Sequence, residues 1–434
     1  MTSLESSMAA VFADRNEPAT LPSASIAVLD DNGLTQKSFN SSPNTKFQAA
    51  SISKPVAALA TLRLVAEDII GLDDDVNEHL KSWRIPETHG YQARITIRQL
   101  LSHSSALTVH GLPGYAHDQP IPTLPQILDG APPANSPAVR LDGIPGLTFR
   151  YSGGGYVVLQ QLLEDVTAGP YAALVEELVF KPCNMTGATF DQPHGDTAAT
   201  SHIGATPTVG GWHRYPEQAA AGMWCTPTDL VNLLASIREA ADRETALLPS
   251  DLATEMLTPV VPGMGLGMFL FPDAAMEHFG HTGGNHGYGC IALAARHGVH
   301  ATAVMTNGDD AAVFCRDMTD TIMDVTGWPH TRPQRDKNKS VDWSERYGGR
   351  YRLPSGDVVT IGQTETHTSE FFAPRHLSVS GQPPLPLEVV NERLCRVIPL
   401  RTDVVFDLAD DGTAIGLTIR QRGEEVKADR VDDA

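Results

Sequence analysis

Basic residues are scarce in this chain: 32 Lys and Arg stand against 52 Asp and Glu, a net charge of −20. A surface of that sign repels phosphate backbones and anionic headgroups, which argues against a nucleic-acid or membrane-surface partner. Cysteine is also rare. The five, at 183, 225, 290, 315 and 395, are odd in number and scattered, with no CxxC pair. Neither a disulfide framework nor a zinc site is expected of them. Sixteen histidines do not alter this, because there is no HExxH and the closest groups (His278, His281, His286 and His297, His300) lack carboxylates at ligand spacing. No metal and no cofactor are expected. No apolar run reaches transmembrane length, the most apolar helix being interrupted by Arg63, Glu67 and Asp68. The first residues carry Glu5 and Asp14 and no basic start, unlike a secretory signal, so a cytoplasmic location is expected.

What is present is the composition of a soluble globular protein, 41% hydrophobic and 19% charged over 434 residues. Leu4, Met8, Val11 and Phe12 suit a short amphipathic helix. "SASIAVLDDNGLTQKSFN" reads as two strands about an Asp-Asn-Gly turn. A helix follows from about Ser51 to Asp68, then shorter ones in "GLDDDVNEHLKSW" and "ITIRQLLSHSSAL". From His110 to Gly146 runs a Pro- and Gly-rich stretch, long enough for a functional loop, in which His110, Tyr115 and His117 are placed to line a pocket or to pack within the loop. "GGYVVLQQLLEDVTAG" is a helix ending at Gly169, and "TPTDLVNLLASIREAADR" is one capped by Thr226 or Thr228. Strand patterns in "GLGMFLF" and "GYGCIALAARHGVHATAVMTNG" precede a last helix, "DAAVFCRDMTDTIMDVTGW". Strands, helices, strands and a helix in that order imply a mixed α/β or α+β unit. The expected division is 1–330, a polar, basic linker at 331–341, and an antiparallel β domain at 342–434 whose short strands alternate with Gly, Pro and Asp-Gly turns.

Three short segments carry chemistry. In "SISK", Ser51 and Lys54 lie three apart at a helix start, on one face. The helix terminus favours an alkoxide and disfavours an ammonium, so a buried Lys54 can act as base to a Ser51 nucleophile; the same four residues also read as an ordinary polar helix start. Pro55 suits a first helical turn yet steers Lys54 away from α geometry. "YSGG" places Tyr151 in a glycine-rich turn before a helix, where it can share a proton with Ser51 or serve as a core aromatic. "HTGGN" places His281, Gly283 and Gly284 at the start of a strand pattern. Glycines there admit a substrate to the backbone, or mark a bulge.

The order Ser-x-x-Lys, Tyr-Ser-Gly, His-Thr-Gly resembles the serine β-lactamase and penicillin-binding-protein superfamily. The likeness is closest to class C β-lactamases and their esterase, D-aminopeptidase and acyltransferase relatives. "LLSHSSAL" is similar to a further segment of that family, with Ala106 in place of the usual glycine. The resemblance, over about residues 10–330, implies an antiparallel sheet flanked by helices plus a helical subdomain, with a cleft between. It implies Ser51 as nucleophile, Lys54 as proton acceptor, Tyr151 as the relay to the leaving group, His281 as the head of the third motif, and the N–H groups of Ser51 and Gly284 as oxyanion hole. Gly153, Asn285, His110 and Tyr115 are the expected substrate contacts. Gly153 stands where the family usually has Asn, and His281, a weaker and pH-dependent charge, where it usually has Lys; both changes argue against β-lactam or muropeptide substrates. The C-terminal β domain resembles lipocalin-like modules. The expected activity is intracellular hydrolysis of small or medium acyl esters through a Ser51 acyl-enzyme. The alternatives are an amide- or thioester-processing enzyme (a D-stereospecific peptidase, an acyltransferase or a cyclising thioesterase of secondary metabolism) and, less favoured, a non-catalytic binding protein.

Overall fold

The Asp31-Asn32-Gly33 turn does what its composition dictates: the Asp30 carboxylate accepts from Asn32 N at 2.8 Å and Gly33 takes φ 102°. It joins β1 (Ala24–Asp30) to β2 (Gly33–Phe39), in register from Ala24 opposite Phe39 to Asp30 opposite Gly33. With β3 (Phe269–Phe271), β4 (His278–Asn285), β5 (Tyr288–Ala295) and β6 (Ala301–Thr306) they form one antiparallel sheet, in the order β2-β1-β6-β5-β4-β3. The computed structural model describes residues 3–15, 22–88, 90–192, 197–271, 277–308, 311–329, 346–354, 356, 358–363, 375–379, 385–397, 402–421 and 424–431. The chain divides into two units, Met1–His330 and Thr331–Ala434. The linker expected at 331–341 lies outside the described residues.

Strand periodicity sorts the first unit into layers. On one face Ile26, Val28 and Val304 meet Met8 and Phe12 of α1 (Leu4–Arg15) and Phe314, Met318 and Ile322 of the last helix of the unit (Ala311–Thr326). On the other, the alternate residues Ala27, Ala303 and Met305 join a larger core. That core takes in α2 (Ser53–Ala66), α3 (Gly153–Thr167) and α4 (Pro227–Asp242). Almost every residue of α2 is buried, so this helix is the axle between sheet and helical layer. Thr226, not Thr228, caps α4, in a capping box with Asp229 and with Pro227 at the first helical position. Ser152 caps α3, accepting from Gly155 N at 2.8 Å, and α3 ends at Thr167, two residues earlier than expected, with Ala168 as its left-handed C-cap at φ 53°. No helix among the described residues is long and apolar enough to cross a membrane.

The stretch 110–146 is not wholly irregular. It holds a short helix, Leu124–Asp129, because Thr123 and Gln126 form a capping box. Ahead of it, Ala106 adopts φ 57°. That left-handed conformation crowds a Cβ and suits glycine, the residue the resembling family segment carries there.

In the second unit eight strands close into an antiparallel barrel: Gly349–Arg352, Val358–Gln363, Arg375–Val379, Leu385–Val389, Leu394–Val397, Thr402–Leu408, Ala414–Gln421 and Glu424–Val431. The first strand pairs with the last, Tyr351 opposite Arg430. Tyr351, Ile361, Leu377, Val404, Phe406 and Leu417 fill the interior, as side chains do in a barrel of this strand number.

Replacing Ala106 by glycine relieves the left-handed strain, worth ~1–2 kcal/mol, at the smaller entropic penalty of glycine. Ala106→Gly is therefore expected to raise the urea midpoint of the first unit; a lowered midpoint would show that the methyl group contributes more than its strain.

Candidate active site

Ser51 is not on the α-helix. It sits in a 3-10 turn, Ala50–Ile52, immediately ahead of α2. Ala50 takes φ 49°, an unusual conformation for a residue with a side chain, and its surroundings hold it there. Ala49 N donates to Met223 O at 2.8 Å, Ser53 Oγ donates to Ala50 O at 2.7 Å, and Met223 N donates back to Ser53 Oγ at 3.1 Å. The helix begins at Ser53, so Pro55 falls in its first turn, where its missing N–H leaves no bond unmade, and Lys54 is helical after all.

Lys54 is 2% exposed. Its Nζ donates to Ser51 Oγ at 3.0 Å and to Ala220 O at 2.8 Å. No carboxylate is among these partners, and burial pushes the ammonium down from its ordinary value to about 7. The Tyr151 and Tyr156 rings stand 5.0 and 5.6 Å from Nζ. Burial raises the Tyr151 hydroxyl above its usual range, against the smaller effect of a hydrogen bond with the Ser51 side chain. Serine, lysine and tyrosine of the two motifs thus come together.

The ring of His103 lies 4.1 Å from that of Tyr151. Ser152 N donates to His103 Nδ1 at 3.1 Å, so the proton of that ring is on Nε2. Burial and the nearby Lys54 hold His103 well below its usual value, and hold His281 at about 3. Both are neutral. His281 therefore does not supply the pH-dependent charge expected of it: desolvation outweighs everything that would protonate it. His103 was not singled out from the sequence, although its signal, the His of "LLSHSSAL", was in view.

The third motif occupies the second half of β4 rather than a strand start. β3 pairs with β4 only over His278–Gly280, so from His281 to Asn285 the outer edge faces no strand among the described residues. A Cβ at Gly283 would lie 2.3 Å from Ala49 O and 2.6 Å from Cys290 Sγ. Glycine is required for β4 to pass directly under the turn that carries Ser51.

The expected substrate contacts divide. His110 is exposed, its ring 5.0 Å from that of Tyr151. Gly153 is buried; its N donates to His110 O at 3.1 Å, and a Cβ there would meet that oxygen at 3.0 Å with Leu112 behind it. The His110 carbonyl oxygen and the Leu112 side chain crowd the space that a side chain at 153 would need. Asn285 is 2% exposed, and Nδ2 donates to Gln48 Oε1 at 2.7 Å and Ala221 O at 3.0 Å, so both its donors are committed within the protein. Tyr115 is buried and bridges to Arg214 through its backbone, while burial and Glu217 push its hydroxyl to about 12. His117 is exposed, packed against Gly210. Glu217, unremarked in the sequence, is fully buried with neither carboxylate oxygen bonded among the described residues, and burial raises it to about 7. Among the described residues, no group of three or more His, Cys, Asp or Glu could hold a metal ion.

An antiparallel sheet faced by helices, with a Ser-x-x-Lys turn lodged between them, is the scaffold of the serine hydrolases of β-lactamase fold. The sequence model of the family described as Beta-lactamase matches residues 8–326, and the chain belongs to that family. It is similar to Protein flp of Staphylococcus aureus (strain N315), 27% identical over 223 residues, 48% of this chain and 42% of flp. Esterase EstB of Burkholderia gladioli is 31% identical over 169 residues, 34% of this chain and 39% of EstB. These matches span about two fifths of the relatives' own length. In fold, the chain is similar to the D-stereospecific amidohydrolase from Streptomyces sp., with TM-score 0.60 and 23% identity over 74% of this chain and 98% of that one.

Gly283→Ala drives a methyl group into the Ala49 carbonyl. It is expected to lower stability by ~1–3 kcal/mol, the usual penalty of overpacking, and to slow covalent labelling of Ser51. Unchanged urea unfolding together with unchanged labelling would show that β4 need not lie so close to the turn.

Proposed function

We propose that the protein is an intracellular serine hydrolase that cleaves esters of small or medium acyl groups through an acyl-enzyme on Ser51. The observation that carries this reading is the 3.0 Å contact of Lys54 Nζ with Ser51 Oγ, made by an amine whose proton affinity burial has brought to about 7. At neutral pH a large fraction of such an amine is unprotonated and can take the Ser51 proton. Ser51 Oγ then bonds the ester carbonyl carbon, and the oxyanion is held by the N–H groups of Ser51 and Gly284. The carbon–oxygen bond to the alcohol breaks as Tyr151 gives it a proton and is itself reprotonated from Lys54. Water, activated by the same lysine, releases the acid and restores Ser51. The division of labour between Lys54 and Tyr151 follows from their opposite shifts: the lysine is easily deprotonated, the phenol is not. That makes Lys54 the base and Tyr151 the relay.

A second reading, hydrolysis or transfer of amide- or thioester-bound acyl groups, draws support from the likeness to the D-stereospecific amidohydrolase, as the ester reading does from EstB. The contact of Ser51 with Lys54 disfavours a purely binding role.

A fluorophosphonate probe is expected to label the wild type and not Ser51→Ala; labelling that survives the substitution removes the nucleophile. The labelling rate is expected to climb with pH through about 7 and then level, because only unprotonated Lys54 accepts the proton. A flat profile from pH 5 to 9 would remove Lys54 as base. Matched kinetics on p-nitrophenyl esters, D-amino-acid anilides and thioesters separate the two readings: anilides or thioesters turned over faster than esters favour the second.

A further inference from the structure

Among the described residues, two ring nitrogens of the site, His103 Nε2 and His281 Nε2, have no bonding partner, and only the second presents a lone pair. His281 Nδ1 lies 2.5 Å from the carbonyl oxygen of Thr282. A carbonyl only accepts, so Nδ1 carries the proton and Nε2 presents a bare lone pair. That Nε2 is buried and unbonded among the described residues, on a ring that is 2% exposed. Aromatic rings flank it: Phe269 at 4.7 Å and Tyr151 at 6.2 Å between centroids, with Phe149 6.4 Å from Phe269. A buried acceptor left unbonded is unfavourable, and here the surroundings offer it no donor.

The position of this lone pair says what it would meet. If Tyr151 hands a proton to the departing atom, the departing group leaves close to His281, whose ring is 6.2 Å from that of Tyr151, while Gly284 lies further along the strand. We propose that His281 selects the departing group by accepting a hydrogen bond from an N–H or O–H on it. The preferred substrates then release neutral, donor-bearing alcohols or amines with an apolar or aromatic body, and carboxylate-bearing departing groups are disfavoured. This rests on the reading of Ser51 and Tyr151 given above. A carboxylate would bring its own lone pairs against that of Nε2, between aromatic walls. The ring cannot adapt by protonating, because burial and Lys54 keep it neutral down to about pH 3.

Three acetate esters isolate the effect: those of 3-(hydroxymethyl)phenol, 3-(methoxymethyl)phenol and 3-hydroxybenzoic acid. All leave the same acetyl group on Ser51, so differences in kcat/KM report the departing group alone. The wild type is expected to favour the hydroxymethyl over the methoxymethyl ester by about fivefold to tenfold, the effect of one neutral hydrogen bond, and to be slowest on the carboxylate. His281→Leu removes the acceptor and should make the first two esters equal. His281→Gln, which keeps an acceptor oxygen, should restore the preference, and His281→Lys should shift it toward the carboxylate ester. A His281→Leu enzyme that retains the wild-type preference, or a wild type that is fastest on the carboxylate, overturns the proposal. Intact-mass detection of acetyl-Ser51 in each protein keeps the two readings apart. Adducts with no selectivity overturn only the role of His281, whereas wild type with no adduct from any ester overturns the serine reading and this inference with it.

Discussion

The first unit is arranged around the burial of an amine. An ammonium 2% exposed and bonded, among the described residues, to a hydroxyl and a carbonyl oxygen rather than to an anion gives up solvation, and its lowered proton affinity is the direct result. Much of the surrounding sequence keeps that situation in place. Helix α2, apolar on nearly every side, carries the lysine into the interior. The Glu217–Met223 segment supplies Ala220 O to Nζ, Ala221 O to Asn285 and Met223 to the Ser51 turn, so one short stretch fixes the lysine, the strand edge and the serine together. The neutral imidazoles of His103 and His281 stand close enough to the lysine for its charge to help keep them unprotonated.

The strain at Ala50 belongs to the same design. A left-handed non-glycine residue directly before Ser51 persists because hydrogen bonds that Ser53 and Met223 make with the turn over-determine it. The result is a serine whose position does not depend on the substrate arriving.

How much of this was legible depended on how local each cause is. Ser51 with Lys54, Tyr151 and His281 could be read because each motif is a few contiguous residues whose types imply chemistry. The sheet, its helices and the separate β unit were legible from periodicity and turn residues. Gly153 and Asn285 were read by position in a motif, yet what they do is decided by partners far away in sequence: His110 for the first, Gln48 and Ala221 for the second. For Tyr115 the sequence left pocket lining and packing within the loop equally open, and only its burial and its backbone bridge to Arg214 show that it is interior. The charge state of His281 was misjudged for a related reason. A sequence names the titratable group, while the solvent it loses is a property of the fold. Glu217 gave no signal, since a glutamate beside a proline is ordinary until its burial is known.

The closed barrel of the second unit has a consequence for association. In the open sheet of the first unit, β2 lies at an edge, where unpaired backbone groups invite another strand; Lys37 on that strand is the kind of residue that discourages it. Closure of the eight C-terminal strands through Tyr351 and Arg430 removes such an edge. A partner that docks on the barrel must then recognise it through side chains and turns, because strand addition to a ring already joined end to end would require the ring to open first.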